Sequence, residues 1–360
     1  MIKFLDLNRL NKTYSDRFLE LTKDFIEHHS YILGELVETF EQKWSEYCGV
    51  PYAVGVSSGS DALLLILEAY KTLGKLHAGD EVIVPSNTYI ATVLAVLHAG
   101  LKPVLVPPGK NFNLDENFTI GPRTKAVIAV HLYGNIHPVD RLARRAEAEN
   151  LILIEDAAQA HGAVLNGIKA GAWAHAAAFS FYPTKNLGAL GDAGAVVTHD
   201  KVLAQTIRQL RNYGQKEKYI SELPGHNARL DPIQAGFLLI KLKDLDFYNR
   251  KRIEIARFYE ENIRHPAIIK PAFYPDGTHV YHQYVIRSTE RDRLQSHLKK
   301  HGIETLVHYP VPPHRQNALK SLNITEPVSE KIGRQVLSLP VDPVLRGEEL
   351  EYIVDIINRF

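Results

Sequence analysis

The chain has 360 residues and a mass of 40.5 kDa, so its length predicts two domains. Hydrophobic residues make up 45% and charged residues 23%, which is ordinary for a globular protein and excludes disordered, collagen-like and fibrous chains. Because 42 basic residues balance 41 acidic ones, the net charge of +1 provides no global field that favours nucleic acid or an anionic membrane.

Cysteine and histidine usage argues against metal and disulfide chemistry. The single cysteine, Cys48, excludes an intrachain disulfide and any CxxC motif. No HExxH motif is present, and we interpret the adjacent His28 and His29 as surface residues, so no metal is expected. The N-terminus lacks a signal-peptide stretch, and the apolar windows 62–67 and 126–130 are far shorter than the roughly 20 residues that span a bilayer. We therefore expect a cytoplasmic protein.

Short apolar runs alternate with helical segments over the first two thirds of the chain. Ser60 is predicted to cap the helix 61–73, and Gly74 to end it. A second helix is predicted over 88–100, and a third is predicted to open at Pro138. The strand-like runs lie at 80–85, 102–106, 125–134 and 151–159. This alternation predicts an α/β domain with a mostly parallel sheet covered on both faces.

The last third of the chain has a different pattern. The segment 231–263 predicts a long helix that breaks near Phe247. It is followed by a predicted strand at 281–288, helix at 291–302, strand at 303–309 and closing helix near 347–359. We place the boundary near residue 245, which predicts a large α/β domain over 1–245 and a smaller α+β domain over 246–360.

The stretch 177–194 contains the most informative residues, because an apolar run leads through Ser180 and Tyr182 to Lys185. Asp156 ends the strand-like run LILIED, 29 residues upstream. Since ligand groups gather at the carboxyl ends of parallel strands, these two side chains are expected to meet over one cofactor. Pyridoxal phosphate (PLP) requires such a pair: a lysine amine for its aldehyde and an acid for its pyridine nitrogen. The alternatives are a solvated lysine and a helix-capping aspartate.

Two other nucleotide-binding patterns are excluded. Gly188, Gly191 and Gly194 have the wrong spacing for a dinucleotide-binding GxGxxG motif. The segment 162–167 resembles a P-loop, but Ile168 stands where the lysine must follow.

A phosphate cradle and a stacking aromatic are also present as candidates. The stretch 56–65 puts Gly59 and Ser60 just before a helix, where free N–H groups favour an anion, and Ser180 can add a hydroxyl. Tyr89 precedes the next helix and is a candidate to stack on the cofactor ring. An ordinary helix cap and a core tyrosine are the alternatives.

Together these motifs resemble the sugar-nucleotide aminotransferases of the DegT/DnrJ family, which have the aspartate-aminotransferase fold (PLP fold type I). The resemblance covers nearly the whole chain. The motifs that carry it are, in order, FLDL, SSGSDAL, PSNTYIAT, IEDAAQAHGA, FSFYPTKNLGALGDAGAV, NARLDPIQA and GIETLVHYPVPPH. The resemblance implies a large domain with a mixed, mostly parallel sheet and a smaller C-terminal α+β domain.

The resemblance also implies a role for each matching residue. Lys185 matches the Schiff-base lysine and Asp156 the pyridinium partner, while Gln159 matches the donor to the ring hydroxyl. The phosphate-binding positions are Gly59, Ser60 and Ser180, the stacking aromatic is Tyr89, and the substrate-side residues are Tyr182, His308 and Tyr309. Asn227 matches a residue that reaches the phosphate of a neighbouring subunit, which implies a homodimer with shared sites. For Arg229, binding a carboxylate and locking its own loop both stay open.

The implied reaction is a ping-pong transamination from an amino acid, L-glutamate, to a nucleotide-linked keto sugar, as in deoxyamino sugar biosynthesis for lipopolysaccharide, S-layer or antibiotic sugars. The motifs look closest to members that aminate C3 of a dTDP-linked 3-keto-6-deoxyhexose. The alternatives are amination at C4 of a UDP-, GDP- or dTDP-linked 4-keto sugar and a PLP aminotransferase for free amino acids. Lys185 argues against the dehydratase branch, which has histidine there, and the lack of a basic extension argues against a DNA-bound regulator.

Overall fold

The computed structural model describes residues 1–136, 138–274 and 277–360. The strands are, in chain order, β1 (Tyr52–Val56), β2 (Glu81–Pro85), β3 (Lys102–Val106), β4 (Thr124–Val130), β5 (Ile152–Asp156), β6 (Val164–Leu165), β7 (Ile168–Lys169), β8 (Ala176–Ser180), β9 (Gly194–Thr198), β10 (Gln215–Glu217), β11 (Ile220–Ser221), β12 (Tyr284–Arg287) and β13 (Val336–Leu339). Among these residues the central sheet has the order β1-β9-β8-β5-β4-β2-β3.

Helices cover this sheet and form most of the C-terminal part. They are, in chain order, α1 (Leu7–Lys12), α2 (Ser15–His28), α3 (Glu35–Cys48), α4 (Gly59–Thr72), α5 (Ile90–His98), α6 (Val139–Ala148), α7 (Lys201–Leu210), α8 (Pro232–Leu242), α9 (Leu245–Asn262), α10 (Arg291–Lys300), α11 (Pro327–Gln335) and α12 (Gly347–Asn358). Short 3-10 turns lie at Leu132–Gly134, Pro313–Arg315 and Asn317–Leu322. Within the described part of the chain, no helix is long and apolar enough to cross a membrane.

The sheet is mixed but mostly parallel. Strand β2 pairs in parallel with β3 and β4, and the parallel run continues through β5 to β8. Strand β9 runs the other way, because it pairs antiparallel with both β8 and β1. The predicted α/β architecture with a mostly parallel sheet is therefore confirmed.

Both faces of the sheet are buried, as strand β8 shows. Ala176 and Ala178 point into the core that contains helices α4 and α5, while Ala177 and Phe179 point into the core that contains α3 and α8. Alternate residues of one strand thus enter two cores, which explains why the strands read as continuous apolar runs.

This arrangement brings the carboxyl ends of several strands to one edge. Strand β5 ends at Asp156, β8 ends at Ser180, and β1 ends at Val56, just before the Ser57–Ser58 turn into α4. Because β1, β5 and β8 share one direction, these ends lie at the same edge of the sheet, where ligand sites of open α/β folds form.

The C-terminal part has a core of its own. Helix α9 contributes Ile255 and Tyr259, and these pack with Leu294 of α10, Leu337 of β13 and Ile353 of α12. Strands β12 and β13 pair antiparallel within this core. A boundary at residue 245 remains a prediction; the helix that leads into this core begins there.

Two sequence-based details at helix ends are wrong. Ser58, not Ser60, caps α4: its backbone is extended and its hydroxyl accepts from Asp61 N at 3.1 Å, so Ser60 lies inside the first turn. The break in the long helical segment lies at Lys243–Asp244 rather than near Phe247. The chain turns there because the helix before it packs on the sheet, whereas most of the helix after it packs in the C-terminal core.

The strand predicted over 303–309 is also wrong. Within this described segment Ile303 forms a single bridge to Ile2 and Leu306 a single bridge to Ser338, and no ladder develops. The segment leaves the pairing edge because His308 and Tyr309 turn into the pocket described below.

A buried ion pair holds the strand that leads to the first turn of α4. Glu41 on α3 and Arg211 after α7 are each only 7% exposed. The Glu41 carboxylate accepts from Gly55 N of β1 at 2.9 Å and from the Arg211 guanidinium, which also donates to Gly55 O. Arg208 donates to the second carboxylate oxygen at 3.0 Å. The pair therefore ties β1 to helices on both sides.

We predict that Glu41→Gln lowers the free energy of unfolding by roughly 3 kcal/mol, because it leaves the buried Arg211 without its counter-ion. Urea unfolding at one fixed protein concentration measures the change. The matched control is Glu38→Gln, since Glu38 is exposed on the same helix and should change stability by less than about 0.5 kcal/mol. Equal effects of the two substitutions would contradict this account.

Candidate active site

A pocket opens at the edge where the parallel strands end. Its cavity volume is about 460 Å³, which is within the range of small-molecule sites. The sequence-predicted residues that line it are Gly59, Ser60, Tyr89, Asp156, Gln159, Ser180, Tyr182, Lys185, His308 and Tyr309. Residues from both parts of the chain thus meet in one cavity, and the remaining candidate, Asn227, does not line it.

The loop after β8 holds Lys185 in a tight turn. The Lys185 N–H donates to the Tyr182 carbonyl at 2.8 Å. A Cβ on Gly188 would lie 2.3 Å from the Pro183 carbonyl oxygen, so only glycine allows this close approach.

Helices α8 and α9 also hold the loop after β8. Lys241 is buried in α8, and its Nζ donates to the Gly188 carbonyl at 2.6 Å. Asn186 Nδ2 donates to Asn249 Oδ1 of α9 at 2.8 Å. The backbone on the C-terminal side of Lys185 is therefore held by two helices, which positions the amine.

Burial acts in opposite directions on the pKa values of Lys185 and Asp156. It lowers the pKa of the Lys185 amine to about 8, although the nearby Asp156 carboxylate opposes this change. It raises the pKa of Asp156, against the hydrogen bonds from Thr92 and the Ala158 N–H and the charge of Lys185. In both cases removal from water disfavours the charged form, and the other group partly compensates.

Two threonines that we did not predict support Asp156. Thr92 Oγ1 donates to Asp156 Oδ2 at 2.8 Å, and Thr88 and Thr92 share a 2.8 Å hydrogen bond between their hydroxyls. The sequence feature that could have indicated these threonines is their i, i+4 spacing around Tyr89, which puts both hydroxyls on one side of the start of α5.

The turn from β1 into α4 packs against the end of β8. A Cβ on Gly59 would lie 2.6 Å from Ser180 Cβ, so glycine lets the helix N-terminus approach the strand end. Ser60 is exposed, and Gly59 and Ser180 line the pocket beside it. The hydroxyls of Ser57 and Ser58 both donate to Asp61. Gly59 and Ser60 line the cavity. These residues form a concave surface beside a helix N-terminus, which suits a phosphate.

Gln159 links the strand edge to the C-terminal segment. Its Oε1 accepts from the Tyr133 N–H at 2.6 Å, and its Nε2 donates to the Tyr309 hydroxyl at 3.1 Å. The Tyr133 hydroxyl in turn donates to the His308 carbonyl. This network holds Tyr309 over the pocket.

Aromatic side chains form the mouth of the pocket. Tyr89 and Tyr182 are 53% and 51% exposed, and the Tyr89 ring lies 5.2 Å from the Tyr309 ring. His308 Nδ1 lies 2.8 Å from Ser338 Oγ, and burial lowers the pKa of His308 to about 4, so its ring is neutral at physiological pH. The aromatic side chains at the mouth are thus uncharged, and the exposed Asp192 also lines the pocket.

A buried pair behind Asp156 was also not predicted. His131 Nε2 lies 2.8 Å from Glu155 Oε2, and His131 lines the pocket. Glu155 is fully buried and accepts from the N–H groups of Gly171, Trp173 and Ala174 at 2.8–3.0 Å. The sequence feature that could have indicated this pair is a glutamate within the apolar strand LILIED, because a buried carboxylate requires a partner.

Asn227 and Arg229 lie on the segment beside β1. Asn227 is exposed and forms an isolated bridge with Asn212. Arg229 donates to Asn212 Oδ1 at 2.8 Å and lies over the Tyr213 ring, so its contacts favour a role in locking this loop. No group of side chains that could hold a metal ion occurs among the described residues.

Comparison with known proteins places the chain in a family. The family model described as the DegT/DnrJ/EryC1/StrS aminotransferase family matches residues 13–358. The chain belongs to this family.

Similar members cover the chain from end to end. The dTDP-3-amino-3,6-dideoxy-alpha-D-galactopyranose transaminase of Aneurinibacillus thermoaerophilus is 46% identical over 100% of this chain and 99% of its own. The crystal structure of Streptomyces venezuelae DesV in complex with a ketimine intermediate is 42% identical, with a TM-score of 0.94 over 99% of this chain and 98% of that one. Bacillus subtilis NtdA with bound cofactor PMP is 30% identical, with a TM-score of 0.90 over 99% and 84%.

Family membership confirms the resemblance that the sequence motifs indicated. The likeness to solved aminotransferases also confirms the predicted fold type, including the C-terminal part, because the match extends over nearly the whole chain. A pocket that contains a lysine and an aspartate fits an aminotransferase of this family, because PLP-type transamination uses both groups.

We predict that the Lys185 amine of the cofactor-free protein reacts with an acylating reagent at a rate that rises through pH 8. A lowered pKa leaves the neutral, nucleophilic amine present above about pH 8, whereas an ordinary lysine requires a pH near 10.4. Peptide mass spectrometry after short labelling follows each lysine separately, so the exposed lysines are the internal control. A Lys185 profile that coincides with theirs would refute the burial effect.

Proposed function

We propose that this protein is a PLP-dependent aminotransferase that moves an amino group from L-glutamate to C3 of a dTDP-linked 3-keto-6-deoxy sugar. The observation that carries the proposal is the shared pocket of Lys185 and Asp156, which Gly59 and Ser180, the proposed phosphate-binding residues, also line. The substrate class is supported by the 46% identical relative whose name describes a dTDP-3-amino sugar transaminase.

The residues present fit PLP. The cavity of about 460 Å³ has room for the cofactor, and the glycine at position 59 lets the start of α4 pack against Ser180, so that both residues line the cavity beside a helix N-terminus, which suits a phosphate. Asp156 would hold the pyridine nitrogen, Gln159 the ring hydroxyl and Tyr89 the ring face. When bound, PLP supplies an aldehyde that combines with amines and a ring that accepts the electron pair of a carbanion.

Lys185 would act as the base that moves a proton from the α-carbon of the donor. Burial lowers the pKa of its amine to about 8 in the cofactor-free protein, so more of the amine is neutral near pH 7.5 than for an ordinary lysine, whose pKa is about 10.4. Asp156 would remain an anion opposite a cationic ring, and the Thr92 hydroxyl orients its carboxylate. A positioned base of this kind is typically worth about 10²–10⁴ in rate.

The mouth of the pocket would receive the sugar nucleotide. Tyr89, Tyr182, His308 and Tyr309 offer ring faces and polar tips without charge, which suits a sugar. Whether the amino acceptor is a keto sugar or a simple keto acid is tested by adding each one to the aminated protein. Recovery of the aldehyde form only with the dTDP-linked sugar supports the proposal. Recovery only with the keto acid overturns it.

We predict that Lys185→Ala lowers transamination by at least about 10²-fold, because no other lysine among the described residues lines the pocket to act as the base. The wild-type protein should be yellow with PLP. Asp156→Asn should keep its circular dichroism spectrum yet lose most turnover, since a neutral amide cannot hold the ring proton. Turnover is measured with L-glutamate and a dTDP-linked 3-keto sugar. Near-native turnover of either variant would remove that residue from the mechanism.

The site would be completed by a second copy of the chain. Asn227 is exposed and lies outside the pocket of its own chain. Apolar side chains are also exposed: Leu19 (70%) and Ile26 (64%) on α2, and Tyr219 (84%) and Ile220 (56%) at the β10–β11 hairpin. These exposed apolar side chains are candidates for contact with a second subunit. We infer a homodimer in which Asn227 reaches the phosphate of the other subunit.

Subunit mixing tests this assembly. Lys185→Ala and Asn227→Asp should each be inactive, the second because its carboxylate repels the phosphate. In a mixed dimer one site receives both defects and the other receives neither, so about half of the wild-type activity per dimer should return. Mixing follows mild denaturation, and a different affinity tag on each variant isolates the mixed dimers. If mixed dimers form without activity, Asn227 serves only its own chain.

A further inference from the structure

A second, smaller cavity adjoins the pocket. Its volume is about 100 Å³, and it shares Thr184, His282, Gln283 and His308 with the larger cavity. Its remaining lining is mostly apolar and includes residues from the N-terminal segment and the C-terminal part: Phe4, Leu5, Leu306, Val341, Arg252 and Asp342. Thr184 precedes Lys185 directly, so the two cavities meet beside the reactive amine.

Arg252 of helix α9 is the cation of this small cavity. It is only 4% exposed, and its Nη1 donates to the Val341 carbonyl at 2.8 Å. Its Nε has no hydrogen-bond partner among the described residues, and no carboxylate in them lies within 4.0 Å of it. Burial lowers the pKa of Arg252 to about 10, which still leaves the guanidinium charged at neutral pH. A buried charge in this state favours an anionic partner.

Asp342, which also lines this cavity, compensates the Arg252 charge only in part: its charge opposes the lowering of the Arg252 pKa, but the two groups form no ion pair among the described residues. Asp342 already accepts from the N–H groups of Asp6 at 2.6 Å and Val344 at 3.2 Å, and burial raises its pKa. Burial lowers the pKa of His282 well below its usual value and that of His308 to about 4, so both rings are neutral. The cavity therefore holds one buried cation and one partly engaged carboxyl, and it adjoins the pocket that Lys185 lines.

Gln283 provides a second unmatched polar group. It is 6% exposed, and its Oε1 has no hydrogen-bond partner in the part of the chain that the structure describes. Since the two ends of an amide exchange by a simple rotation, the side chain can offer an N–H to an anion. Unpaired buried polar atoms are uncommon in folded proteins and point to a ligand or ordered water.

We propose that this cavity binds the side-chain carboxylate of a dicarboxylic amino donor, with Arg252 as its counter-ion. The inference rests on the proposed function, because the amino group of the donor must reach the cofactor at Lys185. The cavity exceeds the roughly 30 Å³ that one water occupies, so a carboxylate and part of its carbon chain fit. A planar guanidinium is also the group that pairs best with a carboxylate.

The first test uses the unmodified holoprotein with L-glutamate, L-glutamine and L-2-aminobutyrate. The rate at which each donor consumes the aldehyde form of the cofactor is followed by absorbance in single turnovers. The rate per donor concentration should be at least about 10-fold higher for glutamate, because the amide and the short chain leave Arg252 unpaired. If all donors fail, the proposed function fails. If glutamine equals glutamate, transamination stands and the carboxylate site is refuted.

The second test compares variants by binding. Glutarate has both carboxylates and no amine, so its calorimetric titration reports binding without turnover. Arg252→Gln should weaken glutarate binding at least about 10-fold and remove the preference for glutamate over glutamine, and Arg252→Lys should weaken it less. Arg250→Gln is the matched control, because Arg250 is exposed on the same helix. Equal binding by the Arg252→Gln variant and the wild-type protein would show that the cavity holds water only. If the Arg252→Gln variant misfolds, the comparison of amino donors with the unmodified protein decides whether the cavity binds a carboxylate.

Discussion

The central constraint is the removal of Asp156 and Lys185 from water at the edge where parallel strands end. Burial disfavours the charge on each group, so the pKa of Asp156 rises and that of Lys185 falls. Each charge partly compensates the other, and the Thr92 hydroxyl adds a hydrogen bond to the carboxylate. The strands, the tight loop after β8 and the helices beneath it hold this pair in place.

The loop that carries Lys185 shows how packing serves this constraint. Gly188 lets the chain fold back on Pro183, and Lys241 and Asn249 hold it from two helices. Lys241 has no ion pair among the described residues, and burial lowers its pKa to about 8. Lys241 therefore supports the loop from α8, while Lys185, on the loop itself, faces the cavity.

The C-terminal part forms the other wall of the pocket, and its titratable side chains differ in charge from those at the sheet edge. His282 and His308 are neutral because they are buried, so they neither attract nor repel an anion strongly. Arg252 keeps its charge. The aromatic mouth and the small cavity with Arg252 thus offer chemically different surfaces on the two sides of Lys185, one suited to an uncharged sugar ring and one to a carboxylate.

The sequence by itself determined the alternation of strands and helices, the family and the pairing of Asp156 with Lys185. These signals are local, because a strand end, a glycine turn and a short motif each lie within about ten residues. Only the tertiary structure decided that Ser58 caps α4, that 303–309 forms no strand, and that Thr92, the His131–Glu155 pair and Arg252 support the site. Except for the Ser58 cap, whose hydroxyl accepts from Asp61 three residues on, these features depend on contacts between distant segments, and such contacts leave no periodic pattern in the sequence.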